Sequence, residues 1–147
     1  MNRKDIINKI IEEQKKVIES LESSVERYRI ASDIDEESTH DPEDFSRQTE
    51  AKDMQLRYEK MLRNAESEMS FLQKETELSH EATENGSIIE TEQNFYFVGI
   101  SVPLIKLKEK QIISFSEDAP IFQSMKGKKV GDEVKIGDNK EVISSIF

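Results

Sequence analysis

From Ile6 to about Ala31 the chain contains neither glycine nor proline, and apolar residues recur at alternating steps of four and three. The positions on this first seam are Ile7, Ile11, Gln14, Ile18, Leu21, Val25, Tyr28 and Ser32. A second seam consists of Ala51, Gln55, Tyr58, Leu62, Ala65, Met69 and Leu72. This spacing keeps one face of a helix apolar and is typical of coiled coils, here with polar breaks at Gln14 and Ser32. The sequence therefore predicts two long helices, each of which needs a partner.

The two predicted helices can pair with each other. They have matched lengths and flank one polar turn, so we expect an antiparallel helical hairpin. Folding back about this turn would place Ile7 near Leu72, and Leu21 near Tyr58. An intermolecular coiled coil would satisfy the same two seams and is the alternative to the hairpin.

The predicted turn, residues 33–44, is strongly acidic. It holds seven carboxylates and neither lysine nor arginine, the acids being Asp33, Asp35, Glu36, Glu37, Asp41, Glu43 and Asp44. Like charges crowded on a small turn repel one another, so folding alone gives little reason to collect them. The pattern therefore favours a turn that delivers negative charge, for example to a metal ion inside a partner. The net charge of −10 argues against a broad basic surface for nucleic acid.

The second helix has a recognisable start. Asp41 is a suitable N-cap, Pro42 fits the first helical position, and the acids Glu43 and Asp44 suit the first turn. Asp41 and Asp44 are three positions apart at the helix start, so their side chains face the same way and can share one ion. Helix capping, worth about 1 kcal/mol, is the structural explanation of the same two residues. Both readings, capping alone and capping with a function, remain open at this point.

Composition excludes several classes of site. No apolar run approaches the length of a membrane span, and the N-terminus lacks the apolar core of a signal peptide, so we expect a cytoplasmic protein. Cysteine is absent, which excludes disulfides and thiolate metal sites. The two histidines, His40 and His80, are too few for a metal site built from histidine.

The chain changes character at Gly86. Short runs of β-branched and aromatic residues follow, separated by turn signals such as Gly137-Asp138-Asn139. Residues Pro120–Met125 predict one short helix, with Gly127 as its C-cap. We therefore expect a hairpin over residues 1–78, a linker over 79–85, and an α+β domain over 86–147. The predicted strands are Ser87–Glu90, Phe95–Val98, Ile112–Phe115, Glu133–Ile136 and Glu141–Ile146.

The segment from Ala119 to Val134 resembles the most recognisable run of the GreA/GreB transcript-cleavage factors. In that family a Ser-Pro-Ile/Leu pair precedes a small helix and then Leu-x-Gly-Lys-x-x-Gly-Asp-x-Val. The matching residues here are Pro120, Ile121, Gly127, Lys128, Gly131, Asp132 and Val134. Upstream, Gly86-Ser87-Ile88-Ile89 resembles the opening of the family's C-terminal domain, and Phe95–Gly99 resembles its next strand. Taken individually, these residues are explained by turn and strand formation, and they indicate the fold rather than the activity.

The resemblance implies both a fold and a function. The fold would be an N-terminal antiparallel coiled-coil hairpin followed by an FKBP-like α+β domain. The function would be that of an RNA polymerase-binding elongation factor. Its acidic tip enters the secondary channel and stimulates cleavage of backtracked RNA near the nascent 3′ end. The globular domain would grip the channel rim. Such a protein is not an enzyme by itself, because the polymerase owns the hydrolytic site.

The resemblance also implies site residues. Placing Glu50-Ala51-Lys52-Asp53 on the family's Ala-Ala-x-Glu segment puts Asp41 and Asp44 on the two tip acids, without a gap. These carboxylates would be lent to the polymerase active site and would share Mg²⁺ with it, with no cofactor bound stably to this chain alone. The surroundings of the pair differ from the family pattern: His40 stands for Gly, Pro42 for Leu, Phe45 for Asn, and Gln48 for Tyr.

Two other functions fit the same sequence. The altered tip is compatible with a Gre-fold regulator that occupies the channel without stimulating cleavage. The seams alone are compatible with a coiled-coil interaction protein unrelated to transcription. Near the tip, we expect Phe45 to close the end of the hairpin by packing, rather than to contact RNA.

Overall fold

The computed structural model describes residues 1–33 and 42–147. Two long helices, α1 (Arg3–Ser32) and α2 (Pro42–Glu75), precede an α+β region, which confirms the predicted fold class. Within the described ranges, none of the helices has the length and apolar character needed to cross a membrane. The elements after α2 are β1 (Ile88–Glu90), β2 (Asn94–Val98), β3 (Ile105–Lys106), β4 (Gln111–Phe115), α3 (Pro120–Met125), β5 (Glu133–Ile136), β6 (Asn139–Val142) and β7 (Ser145–Ile146).

The chain divides into two compact units. Residues 14–69 form the hairpin unit, and residues 1–13 together with 70–147 form the sheet unit. The predicted boundaries, with the hairpin ending at residue 78 and the α+β domain beginning at residue 86, were drawn from the change in sequence composition and stay a prediction. The segment proposed as a linker is bonded within the sheet unit, where Thr83 donates from its backbone nitrogen to the carbonyl of Lys128 at 3.1 Å.

Hydrogen bonds in the hairpin unit show that the helices run antiparallel. Gln14 Nε2 donates to the carbonyl of Ala65 at 2.9 Å, and Gln48 Nε2 donates to the carbonyl of Ser32 at 3.0 Å. Residues late in α1 therefore lie beside residues early in α2, and the reverse holds at the other end. This confirms the predicted hairpin. The register is the one drawn from the seams, in which Leu21 lies level with Tyr58.

The polar residues on the seams have bonding partners. Gln14 is 1% exposed, and its amide also reaches Glu68 Oε2 at 3.3 Å. Buried Gln55 accepts from Ser32 Oγ at 3.2 Å and donates to Glu59 Oε1 at 3.0 Å. A polar group on a coiled-coil seam lowers stability but selects one register, because any shift would leave it buried without a partner.

Two tyrosines stack inside the hairpin unit. The ring centroids of Tyr28 and Tyr58 are 5.4 Å apart and the planes differ by 11°. The two residues are about a heptad out of register, yet they meet, because helical side chains lean toward the N-terminus of their own helix. In an antiparallel pair, the side chains of Tyr28 and Tyr58 therefore point toward each other along the helix axes.

A five-stranded mixed sheet forms the centre of the sheet unit. Its strand order is β3-β4-β2-β1-β7, in which β2 and β4 pair in parallel and the other neighbours pair antiparallel. The central strand β2 alternates between two cores: Phe95 and Phe97 face one, and Tyr96 and Val98 face the other. A strand that is covered on both faces reads as a continuous apolar run, as Phe95–Val98 does.

Each face of the sheet is covered by a different set of elements. On one face lie the start of α1 and the end of α2, and Ile7 and Leu72 belong to the same buried cluster, as predicted. Ile6 and Ile10 are also fully buried there, although they lie off the coiled-coil seam. On the other face lie α3, β5 and the segment after β6, through Phe122, Met125, Val134 and Ile143.

The predicted strand Glu141–Ile146 is wrong as a single element. Residues up to Val142 pair with β5 in a separate two-stranded sheet, whereas Ser145 and Ile146 pair with β1. The chain crosses between the sheets at Ile143 and Ser144, whose backbone nitrogens donate to the backbone carbonyls of Asp132 and Glu90. The sequence also missed β3, because two residues are too few to show an alternating pattern.

Glycine 86 occupies a position that a larger residue cannot take. Its φ is +92°, and an added Cβ would collide with the carboxylate of Glu75. We expect Gly86→Ala to lower the free energy of unfolding by about 2–4 kcal/mol, combining backbone strain with a displaced buried side chain. Gly137 has φ +62° and open space around it. Gly137→Ala should therefore cost only the strain, about 1–2 kcal/mol. Urea unfolding of both variants measures how much stability each loses. Equal losses would show that the collision with Glu75 adds nothing to the cost at position 86.

Candidate functional site

The ends of the two hairpin arms are tied together next to the acidic turn. The Gln48 amide bonds the last residue of α1, Ser32, and the backbone nitrogen of Asp33 donates to the carbonyl of Arg29 at 3.1 Å. Asp44 lies one helical turn before Gln48 on α2. Asp33 and Asp44 therefore flank the same end of the hairpin, each within about one turn, or 5.4 Å of axial rise, of this bond.

Asp44 lies in the first turn of α2, which begins at Pro42 as predicted. Its side chain is half-buried, while that of Glu43 is exposed. Carboxylates in the first turn of a helix are stabilised by the unpaired backbone N–H groups and the helix dipole. Asp41, the other member of the predicted pair, lies outside the described residues. The same holds for Asp35, Glu36, Glu37 and His40. The pairing of Asp41 with Asp44 stays a prediction.

A surface groove of about 500 Å³ lies beside this end of the hairpin. Charges of both signs line it, so it has no strong preference for an anion or a cation. The lining residues are Arg29, Ser32, Asp33, Phe45, Gln48, Thr49, Lys52, Asp53 and Gln55. Polar and charged side chains make up most of this lining, and Phe45 is its one aromatic residue.

Phe45 does not close the end of the hairpin. Its side chain is 67% exposed, so the expectation that it packs there is wrong. The seam continues backward from Ala51 through Gln48 to Asp44, and Phe45 lies beside this line rather than on it. An exposed phenylalanine beside the acidic turn is available for contact with a partner.

The donor type at the hairpin end suits magnesium. Mg²⁺ prefers hard oxygen ligands and often takes only one or two carboxylates from a protein, keeping several waters. Asp44 supplies such a carboxylate on a fixed helical turn. Within residues 1–33 and 42–147, no group of three or more His, Asp or Glu side chains is arranged to hold a metal ion. The predicted sharing of Mg²⁺ between Asp41, Asp44 and a polymerase therefore remains an inference from the resemblance.

The sheet unit contains a buried ion pair that no local sequence pattern predicted. Arg3 donates from Nη2 to Glu75 Oε2 at 2.8 Å, and both side chains are 9% exposed. The same guanidinium bonds the backbone carbonyls of Glu75 and Phe147. Burial lowers the pKa of Arg3, and the adjacent carboxylate of Glu75 acts in the opposite direction. Arg3 thus joins the start of α1, the end of α2 and the last residue of the chain.

His80 extends this cluster. Its Nε2 lies 2.8 Å from Glu75 Oε2, and its Nδ1 lies 2.8 Å from Glu84 Oε1. The ring nitrogens therefore both face carboxylates, and only a doubly protonated ring can donate to both at once. No local sequence pattern predicted a partner for His80, and in the structure it bridges two acids.

A second buried carboxylate lies under the other face of the sheet. Glu141 accepts from Tyr96 Oη at 2.7 Å and from Thr91 Oγ1 at 2.6 Å. Asn94 Nδ2 donates to Tyr96 Oη at 2.9 Å and to Glu141 Oε1 at 3.4 Å. Neutral donors satisfy this carboxylate without a cation, so the cluster is explained as part of the core.

Tyr96 makes stability depend on pH in the alkaline range. Burial, reinforced by the bond to Glu141, raises the pKa of Tyr96 well above its value of about 10 in an unfolded chain. The folded state therefore holds its proton more tightly, and its contribution to stability is lost as pH rises above about 10. We expect Tyr96→Phe to lower stability by about 1–3 kcal/mol at neutral pH and to flatten this alkaline decline. Urea midpoints from pH 8 to 11 test this, with Tyr58→Phe as the control. An unchanged decline in Tyr96→Phe would contradict it.

The comparisons with known proteins find a match among solved structures but none among family models or curated sequences. The sequence matches no family model and no curated protein. Among solved structures, it is similar to the crystal structure of GreA factor homolog 1 (Gfh1) protein of Thermus thermophilus. The sequence identity is 14%, the match covers 98% of this chain and 94% of that chain, and the TM-score is 0.34. A superposition this loose carries no inference about site residues.

Proposed function

We propose that this protein is an RNA polymerase accessory factor whose acidic hairpin end enters the secondary channel and stimulates cleavage of backtracked RNA. The observation that carries the proposal is the antiparallel hairpin itself, whose arms flank the acidic segment of residues 33–44. A pair of helices held by side-chain bonds can present a dense group of carboxylates at one end. The sequence resemblance supplies the partner and the reaction.

In this proposal, Asp41 and Asp44 are metal ligands that the protein supplies to the polymerase active site. Hydrolysis of a phosphodiester by a two-metal mechanism needs two divalent cations about the scissile phosphate and an oriented water. The polymerase holds the first cation, and these two carboxylates help to hold the second. Mg²⁺ bound there would lower the pKa of a coordinated water and stabilise charge on the phosphate. The first helical turn fixes the direction of Asp44, and the N-cap position would do the same for Asp41.

The polar seam residues near the turn support this role. Gln48 and Gln55 both bond Ser32, so the two arms are held in one register close to the acids. A ligand pair works only when its supporting shell fixes it within a fraction of an ångström. We therefore assign Gln48 and Gln55 a positioning role, in which they act through the backbone that carries Asp44.

A second candidate is a regulator that occupies the channel without stimulating cleavage. One observation favours it: the amide of Gln48 is engaged in closing the hairpin, at the position where the resemblance has a tyrosine. A side chain bonded across the arms is not presented at the end of the hairpin. The two candidates share the partner and the binding mode, and they differ in whether RNA is cut.

Photocrosslinking from the hairpin end tests the shared binding mode. Phe45 is exposed, so a benzoylphenylalanine at position 45 should not disturb the hairpin. With purified core polymerase, we expect crosslinks to peptides that line the secondary channel near the catalytic centre. The control places the same probe at the exposed Leu78, in the sheet unit, and should not mark those peptides. Equal labelling from both positions, or none from position 45, would contradict insertion of the hairpin end.

A further inference from the structure

His80 lies within residues 76–87, which connect α2 to β1. Its ring contacts one carboxylate on each side along the chain. Nε2 lies 2.8 Å from Glu75 Oε2 at the end of α2, and Nδ1 lies 2.8 Å from Glu84 Oε1, shortly before β1. We call these three residues the histidine bridge. It belongs entirely to the sheet unit, and it holds the connection to the end of α2 through side chains.

The charged groups around the ring differ in burial and in their partners. The side chain of His80 is 12% exposed and that of Glu75 is 9% exposed, whereas that of Glu84 is 58% exposed. Arg3, at the start of α1, donates to the same Glu75 oxygen at 2.8 Å. When His80 is protonated, two positive side chains face two negative ones. When His80 is neutral, one carboxylate is left in excess.

The surroundings of the ring require two protons on it. A neutral imidazole has one N–H donor and one lone pair, and it pairs with one acceptor and one donor, whereas this ring faces two acceptors. Loss of a proton therefore sets a lone pair against a carboxylate. The contact that breaks is the one to Glu84, because this exposed side chain can turn into water, while Glu75 is buried and held by Arg3.

We propose that the histidine bridge is a pH-sensitive device, in which loss of one proton from His80 releases Glu84 and loosens residues 79–85. In acid, both hydrogen bonds form and the connection is held to the end of α2. Imidazole is the side chain that changes charge between pH 5 and 8. As pH rises through this range, the bond to Glu75 remains and the bond to Glu84 breaks. This inference is independent of the proposed function, since it concerns residues of the sheet unit only.

NMR of the full chain at about pH 5.5 and about pH 8 tests the proposal. The backbone nitrogens of Thr83 and Glu84 are hydrogen-bonded, so their amide exchange, corrected for its intrinsic pH dependence, reports opening of this segment. We expect opening to increase by about threefold at the higher pH, a small factor because the bond to the exposed Glu84 is weak. Amides of β2 serve as the internal reference and should not change. Ring nitrogen shifts should show His80 doubly protonated at the lower pH and singly protonated at the higher.

Two matched glutamate substitutions separate the bridge from net charge. In Glu84→Gln the side-chain amide can accept from a protonated ring nitrogen and donate to an unprotonated one, so opening should no longer depend on pH. Glu81→Gln removes the same charge from an exposed position of the same segment and should keep the wild-type dependence. His80→Gln should abolish the dependence.

Three results would overturn the proposal. The first is equal opening of the wild type at both pH values. The second is the same loss of pH dependence in Glu84→Gln and Glu81→Gln, which would reduce the effect to net charge. The third is pH dependence that persists in His80→Gln, which would assign the titration to another group.

Discussion

Replacing Asp41 and Asp44 together with asparagine should lower the rate of stimulated RNA cleavage by about a hundredfold or more, while binding to polymerase persists. Both side chains keep their size and helix-capping ability, since asparagine caps helices about as well as aspartate. What is lost is the negative charge that holds the second Mg²⁺. A metal ion contributes several kcal/mol to a phosphoryl-transfer transition state, and about 3 kcal/mol corresponds to about a hundredfold in rate.

The control for this variant comes from the same turn. Asp33→Asn/Asp35→Asn removes the same amount of charge from residues 33–44 but leaves the predicted pair intact. We expect it to reduce cleavage only a few-fold, through weaker local attraction for cations. Helical content should be unchanged in both variants, and the urea midpoint of Asp41→Asn/Asp44→Asn should fall only slightly, since the helix dipole stabilises a first-turn carboxylate by about 0.3–1 kcal/mol. Equal losses of cleavage would assign the effect to total charge, and retained cleavage in Asp41→Asn/Asp44→Asn would remove these residues from the mechanism.

Replacing Arg3 with methionine should lower the free energy of unfolding more than any other single substitution proposed for the sheet unit. The substitution keeps the aliphatic stem but removes the guanidinium from the buried carboxylate of Glu75, which keeps the His80 ring as a partner, and it leaves the carbonyls of Glu75 and Phe147 without this side-chain donor. Removing one partner of a buried pair costs about 3–5 kcal/mol, out of a total stability of about 5–15 kcal/mol for an ordinary domain. Arg3→Lys retains the charge but not the several N–H donors of the guanidinium, so the free energy of unfolding should fall by less than in Arg3→Met.

A second Arg–Glu pair provides the matched control. Arg29 bonds Glu26 one turn away on α1, but their side chains are 50% and 57% exposed. Arg29→Met should therefore leave the unfolding midpoint nearly unchanged, because solvent already screens this pair. Thermal and urea unfolding of the three variants measure the contrast. Similar midpoints for Arg3→Met and Arg29→Met would show that burial does not decide the strength of the pair.

Much of the fold was predictable because the signals are local or periodic. The two seams predicted the hairpin and its register, and Pro42 marked the start of α2. The helix Pro120–Met125 was predicted with its observed bounds, since proline and Gly127 mark its two ends. The burial of Ile6 and Ile10 was not predictable from the seam, because it depends on strands that come much later in the chain.

The candidate site was predictable only in part. The crowding of acids at residues 33–44 is visible in the sequence, and the structure places Asp33 and Asp44 at the same end of the hairpin. The Arg3–Glu75 pair and the bonds of Glu141 join residues that are separated by 45 to 72 positions in the sequence, so no local pattern predicts them. Phe45 was misjudged because an aromatic residue near a turn usually packs, whereas this one lies beside the seam.

The measurement that tests the cleavage function most directly is RNA release from a stalled, backtracked polymerase with Mg²⁺ and the wild-type protein. We expect 3′ fragments to be released faster than with polymerase alone, and the shortened RNA to resume elongation. Tight binding without faster release would contradict the cleavage function and favour the channel-occupying regulator. Absence of both binding and release would contradict the assignment to transcription.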